Sequence, residues 1–184
     1  MKGCRALTEA EVNGILADMG TRDRLLMMTG LYFGTRISES LSLTFGHVAG
    51  EYLYIRSAKG SDNAAFPIPA EYRQTVAALR AEYVSRGIEV NDHTPVFLSK
   101  HGVAMSRQAV GQIIKATCEK LGIGGKVSTH SLRKTFVTKI YNMTGFDIAQ
   151  TKVYSRHKNI GNLDYYINTT KDTGLVLSLN WGSK

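Results

Sequence analysis

Thr129-His-Ser-Leu-Arg-Lys-Thr-Phe136 opens the stretch that decides how this chain is read, and Asp164-Tyr-Tyr-Ile167 closes it. Leu132, Phe136, Ile140 and Met143 recur at helical spacing behind Ser128 and Thr129, either of which can cap, so a helix is expected over 130–143. His130 and Arg133 are three residues apart and therefore share one face of it. A guanidinium fork beside a group that can move a proton suits attack on a phosphate ester, where charge builds on the oxygens while a proton is transferred. Further along stand His157 and the pair Tyr165 and Tyr166. The stretch thus offers two imidazoles, a guanidinium and a phenol nucleophile.

Two cations lie upstream. Arg36 sits in Gly34-Thr-Arg-Ile-Ser-Glu39, and Lys59 in a Ser57-Ala-Lys-Gly60 turn between two apolar runs. Alone, Arg36 and Glu39 read as a surface pair at i,i+3 on a short helix over 36–42, and Lys59 as a solvated charge. The ordered set is far more specific than its parts. Arg36, Lys59, His130-x-x-Arg133, His157 and, nine residues on, Tyr166 resemble in order and spacing the catalytic residues of the tyrosine recombinases, the phage integrase family, over residues 5–170.

The resemblance implies a mostly helical α+β catalytic domain with a small antiparallel β-sheet or hairpin over residues 1–170, and a C-terminal tail, 171–184, that packs in cis or on a neighbouring protomer. It implies site-specific cleavage and rejoining of DNA through a covalent 3′-phosphotyrosine. Tyr166 would be the nucleophile, with Arg36, Arg133 and His157 on the non-bridging oxygens. Lys59 would protonate the leaving 5′-oxygen, His130 would assist proton transfer at the tyrosine, and Glu39 would orient an arginine or backbone group. A free tyrosine has a pKa of about 10, so only about one in a thousand is ionised near neutrality, and the cations and a base are needed for that reason. The bond energy stays in the phosphotyrosine, so no cofactor, ATP or metal is expected. The implied partners are a double-stranded DNA recombination site, further copies of the chain on DNA (dimer to tetramer), and accessory DNA-bending or directionality factors. Bacterial or phage-encoded cytoplasmic protein is the matching location, with no membrane. Two alternatives are a type IB topoisomerase, weakly disfavoured by the small size and the Lys59 hairpin, and a non-catalytic DNA-binding regulator, disfavoured by the complete set of six polar groups. Two residues depart from the family's usual pattern: Lys134, where histidine is frequent, and Arg156, where glycine is frequent. Many members also carry an N-terminal DNA-clamping domain, so the chain is expected to be either a catalytic fragment or a short member.

Composition agrees. The 184 residues make one domain able to bury a core, and a net charge of +8 with a pI near 9.5 favours a polyanionic partner without naming it. Cys4 and Cys118 lie far apart with no metal-ligand spacing, which reads as reduced thiols. No leader and no membrane-length apolar run is found, and no His-Glu-x-x-His or paired Asp motif for a metal.

The remaining elements follow from local pattern. Thr8 to Glu11 reads as a capping box for a helix over 8–19, and the next apolar stripe, from Leu25 to Phe33, ends at Gly34. Tyr52–Arg56 and Ala64–Ile68 flank turn formers and predict a hairpin with Lys59 at its tip. A helix over 70–86 carries Tyr72, Val76, Leu79 and Tyr83 on one side. Pro95–Leu98 reads as a short buried strand, and Ser106 as the cap of a helix with Val110, Ile113, Ile114, Thr117 and Leu121 inward. The Gly122-Ile-Gly-Gly125 cluster follows that helix, which suits a C-cap and not a phosphate loop. Helices over 147–155 and 160–168 complete the chain. In the last, Ile160, Leu163 and Ile167 form the apolar stripe, which leaves Tyr166 at its flank and turns Tyr165 away from it.

Overall fold

The computed structural model describes residues 3–56, 62–157, 161 and 163. Thr8 caps α1 (Glu9–Asp18) with both bonds of a capping box, its hydroxyl accepting from Glu11 N while the Glu11 carboxylate accepts from Thr8 N. Helix α2 (Thr21–Phe33) is the centre of the molecule: Leu25 to Gly30 are all buried, because α1 covers one side while two further helices, described below, cover the others. It ends where expected, at Gly34, whose φ of 57° is the left-handed conformation that glycine adopts without a Cβ clash. A short helix α3 (Ile37–Leu41) follows, with Arg36 at its N-cap, and then a 3-10 turn over Phe45–Val48.

Strands β1 (Tyr52–Ile55) and β2 (Ala64–Pro67) form an antiparallel hairpin with Leu53 opposite Phe66. Leu53 and Ile55 point inward while Tyr52 and Tyr54 face solvent, the period of two expected of a half-covered sheet. Helix α4 (Ala70–Ser85) buries the predicted Tyr72, Val76, Leu79 and Tyr83, and Tyr72 meets Phe33 edge to face at 5.1 Å. Ser106 caps α5 (Arg107–Lys120), whose buried face is Val110, Ile114, Thr117 and Cys118, with Ile113 partly covered. Leu121 is 38% exposed and does not belong to that face, because the helix has already reached its C-cap there. Gly122, at φ 64°, continues the helix end as predicted, with Ile123 N donating to Cys118 O.

One expected strand is not one. Pro95–Leu98 is buried, but it pairs only as single bridges at its ends, Thr44 with Pro95 and Leu98 with Ala104. Its inner polar groups are satisfied from several directions instead of by a ladder. Tyr83 Oη donates to Val96 O and accepts from Leu98 N, Val96 N reaches Leu43 O, and Met105 N reaches Phe97 O.

Ser128 caps α6 (Thr129–Met143), and Asp147 caps α7 (Ile148–Ser155). The α6 stripe holds as far as Phe136 and Val137, with Ile140 partly buried, whereas Met143 is 72% exposed on a last turn that runs past the core. Two glycines let α6 lie against α2: a Cβ on Gly30 would stand 2.9 Å from Leu132 Cβ, and one on Gly34 would stand 2.3 Å from the Phe136 ring. Leu163 is buried against the same Phe136 and Val137 cluster. The architecture is therefore the mostly helical α+β arrangement with one small antiparallel sheet. No helix among the described residues is long and apolar enough to cross a membrane. The hairpin tip with Lys59, the expected helix over 160–168 with Tyr165 and Tyr166, and the tail 171–184 lie outside the described residues, apart from Gly161 and Leu163.

Candidate active site

The close contact of α2 with α6 sets the first piece of the site. Arg133, one turn into α6, is only 2% exposed, and its guanidinium spans two chain segments: Nη1 donates to Gly34 O, and Nη2 donates to Ser155 O at 2.8 Å. Gly34 stands two residues before Arg36, and Ser155 two before His157. A buried arginine with two carbonyl acceptors from separate segments is fixed in position as well as in charge.

His157 lies beside it, 3% exposed, with Nε2 3.3 Å from Arg133 Nη2. An arginine N–H only donates, so Nε2 accepts and the ring proton sits on Nδ1. That nitrogen faces Ser155 Oγ at 2.8 Å, and Ser155 Oγ in turn donates to Lys152 O at 3.3 Å. Burial, then the charges of Arg133, Arg36 and Arg156, push the imidazole down to about 3, so it is neutral at physiological pH.

Arg36 is the more exposed cation, its side chain 27% accessible, and Glu39 holds it from one turn along α3. Glu39 Oε2 accepts from Arg36 N at 2.8 Å, and Oε1 from Arg36 Nη1 at 3.2 Å. Oε2 also takes Arg156 Nη2 at 2.9 Å, an ion pair whose side chains are 1% and 5% exposed. Burial works to raise the Glu39 pKa, but the Arg156 hydrogen bond, the Arg36 N–H and the two guanidinium charges outweigh it and hold the carboxylate below its ordinary value. Glu39 is thus a fixed anion and has no proton to move.

His130 N reaches Ser128 Oγ at 3.3 Å in the first turn of α6, and the residue is half-buried. Burial foremost, with help from Arg133 and Arg36, lowers its pKa, so it too favours the neutral form that can accept a proton. The structure pairs Arg36 with Glu39 and Arg133 with His157, and sets both His157 and His130 within electrostatic range of the two arginines. Lys59 and Tyr166 lie outside the described residues, although Asp62 N, on the return side of the hairpin, donates to Arg156 O at 3.2 Å. Among the described residues, three guanidinium groups (Arg36, Arg133, Arg156) against one carboxylate (Glu39) leave two net positive charges in a largely desolvated cluster. Such a cluster attracts a phosphate group and stabilises charge that grows on its oxygens. Among the described residues, no group of three His, Cys, Asp or Glu side chains is placed to hold a metal ion.

Arg156 is the member of this cluster that the sequence reading passed over. It was notable only as an arginine in a place where glycine is frequent, and its φ of 58° is indeed the left-handed conformation glycine favours. The signal that could have found it is that a large cation kept at such a position calls for a buried acid to pair with.

The phage integrase family model matches residues 5–173 of this chain. Tyrosine recombinase XerD of Bifidobacterium longum is 26% identical over 175 residues, which covers 92% of this chain and 56% of that protein. Tyrosine recombinase XerC of Pelotomaculum thermopropionicum is 26% identical over 157 residues, or 83% of this chain and 51% of that protein. The chain therefore spans a little over half the length of these relatives. Among solved structures, XerA recombinase superimposes with a TM-score of 0.74 at 23% identity, covering 94% of this chain and 63% of that one. XerH site-specific recombinase, in a post-cleavage complex with a palindromic difH substrate, gives 0.74 at 18% identity over 97% of this chain and 53% of that one. At these identities the two structures establish likeness of fold.

Proposed function

The chain belongs to the phage integrase family, and on that premise we propose that it is the catalytic domain of a site-specific recombinase, cutting and rejoining DNA strands through a 3′-phosphotyrosine on Tyr166. The observation that carries this reading is the position of Arg133, held between the carbonyls of Gly34 and Ser155 and beside His157 Nε2. One side chain thereby joins the segments that carry two other members of the expected set. The relatives' own names, tyrosine recombinases XerD and XerC, support it as well.

In this mechanism the scissile phosphate enters against Arg36 and Arg133, whose charge stabilises the pentavalent transition state. His157 exchanges its Arg133 contact for a phosphate oxygen. Tyr166 Oη attacks phosphorus, His130 takes the phenol proton, and Lys59 gives a proton to the departing 5′-oxygen. The reverse sequence, with a new 5′-hydroxyl, rejoins the strand. Glu39 keeps Arg36 aimed and takes no part in proton transfer. Residues 1–170 would form this unit, acting on double-stranded DNA in the cytoplasm, with the segment 171–184 docking in cis or on a neighbour as dimers and tetramers assemble. Accessory DNA-bending or directionality factors would act on that assembly.

The function is tested with nicked suicide duplexes of randomised sequence, in which the freed end diffuses away and traps the intermediate. A protein–DNA adduct that survives SDS and forms equally in EDTA is expected. Cleavage that leaves no adduct, or that strictly needs a divalent ion, would assign the chain to another class of nuclease.

A further inference from the structure

Arg156 makes three connections from one residue. Its left-handed backbone ends α7 and sets the direction in which the chain leaves towards His157. Its carbonyl accepts from Asp62 N on the return side of the hairpin loop, and its side chain crosses to Glu39, the acid that holds Arg36. The guanidinium is 1% exposed, and its Nε and Nη1 find no hydrogen-bond partner among the described residues, so the Glu39 carboxylate is the contact that orients it. Burial of so large a cation at a backbone angle that suits glycine costs stability, which argues that the contact has a use beyond filling space.

The use is legible in how the carboxylate is shared. Glu39 Oε2 is occupied by Arg36 N and Arg156 Nη2, so Arg36 Nη1 meets the carboxylate at Oε1. Without Arg156, the Arg36 guanidinium would be drawn into the two-oxygen fork that arginine and carboxylate prefer, and so turned towards Glu39. With Arg156 present, the fork cannot close.

We propose that Arg156 is a positioning residue that acts through Glu39, confining the Arg36 guanidinium to one carboxylate oxygen and tying the helix that presents Arg36 to the turn that presents His157. The role rests on the recombinase reading above and adds to it a residue that touches no DNA. The backbone bond from Asp62 is independent of the side chain and survives substitution by glycine, which also fits the φ of 58°. Arg156→Gly therefore removes the buried side chain while keeping the turn and its backbone bond, and a fold check by circular dichroism accompanies it. Arg156→Lys keeps the charge but supplies a single point donor in place of the planar fork.

The test measures adduct formation in a single turnover at saturating DNA, on a suicide duplex recovered from the randomised pool by the unsubstituted chain, for R156G, R156K, E39Q and the double variant E39Q/R156G. DNA affinity is measured alongside. R156G should form adduct at least tenfold more slowly with affinity within about twofold of the parent, and R156K should recover part of the loss. In the E39Q background, R156G should add less than twofold, because the contact it removes is already weakened. R156K, which keeps a cation beside Glu39, and the double variant, which removes the buried carboxylate charge together with its partner, keep the test alive if R156G alone does not fold. Parent-like adduct formation by R156G, or a full loss that persists in the E39Q background, would overturn the positioning role while leaving the recombinase reading intact. A parent chain that forms no adduct on any duplex would overturn the recombinase reading and this role with it.

Discussion

Arg133 Nη2 and His157 Nε2 stand 3.3 Å apart, and because the arginine can only donate, the histidine is held as an acceptor towards the centre of the site. This is the reverse of what a phosphate oxygen requires of it. In the proposed mechanism a bound phosphate would supply Arg133 with a better acceptor and offset the cationic charges that depress the imidazole, so that Nε2 takes up a proton and donates it to the phosphate oxygen.

A glutamine amide can occupy the place of Nε2 and donate from it, while an asparagine amide reaches only as far as Nδ1. His157→Gln should therefore stay within about tenfold of the parent in adduct formation, whereas His157→Asn should lose about 10²-fold or more, the usual effect of removing one preorganised donor. Equal losses in single-turnover assays would mean that the imidazole serves the fold and not the phosphate.

The same histidine makes stability depend on pH in a definite direction. Its folded-state pKa of about 3 lies below the ordinary 6.5, so the unfolded chain takes up the proton first. The stabilisation is complete above pH 6.5 and is lost as pH falls from there towards 3. His130, also lowered, acts with the same sign. Urea unfolding at pH 7 and pH 5 should show the parent weakening by up to about 1.4 kcal/mol per pH unit more than His157→Gln over this window. A parallel dependence in the two proteins would contradict the neutral, buried histidine.

Gly34 meets two demands at once, a φ of 57° and a Phe136 ring 2.3 Å from where a Cβ would be. Gly34→Ala should cost on the order of 2–5 kcal/mol, from left-handed strain plus overpacking. Adding Phe136→Leu should recover the packing part only. Denaturation midpoints check this, and an alanine variant as stable as the parent would show that α2 and α6 do not approach this closely.

Lys59 is tested by the leaving group. Lys59→Ala should cripple cleavage of ordinary DNA yet recover on a duplex whose 5′-bridging oxygen is replaced by sulfur, since a thiolate departs without a proton. Failure of the sulfur substrate to rescue would assign the lysine to DNA positioning or charge stabilisation.

Much of this was legible in the sequence because the signals are local. The capping box at Thr8, the left-handed stop at Gly34 and the apolar stripe of α4 all appear where the residues place them. The Pro95–Leu98 segment was misread because its burial and composition look like a strand's, while its hydrogen-bond partners, Tyr83 Oη among them, are set by tertiary structure. The Arg36–Glu39 pair at i,i+3 was readable, but not that Glu39 also holds a residue 117 positions away. No periodicity encodes a contact of that range, and Arg156 registered only as a departure from glycine.

The most direct measurement of the central claim is the identity of the residue that becomes linked to DNA. The trapped adduct is digested and the DNA-bearing peptide sequenced by mass spectrometry, with Tyr166→Phe and Tyr165→Phe assayed beside the parent. The nucleotide should be found on Tyr166, with the adduct abolished by Tyr166→Phe and retained by Tyr165→Phe. A nucleotide on Tyr165, or an adduct that survives Tyr166→Phe, would contradict the account.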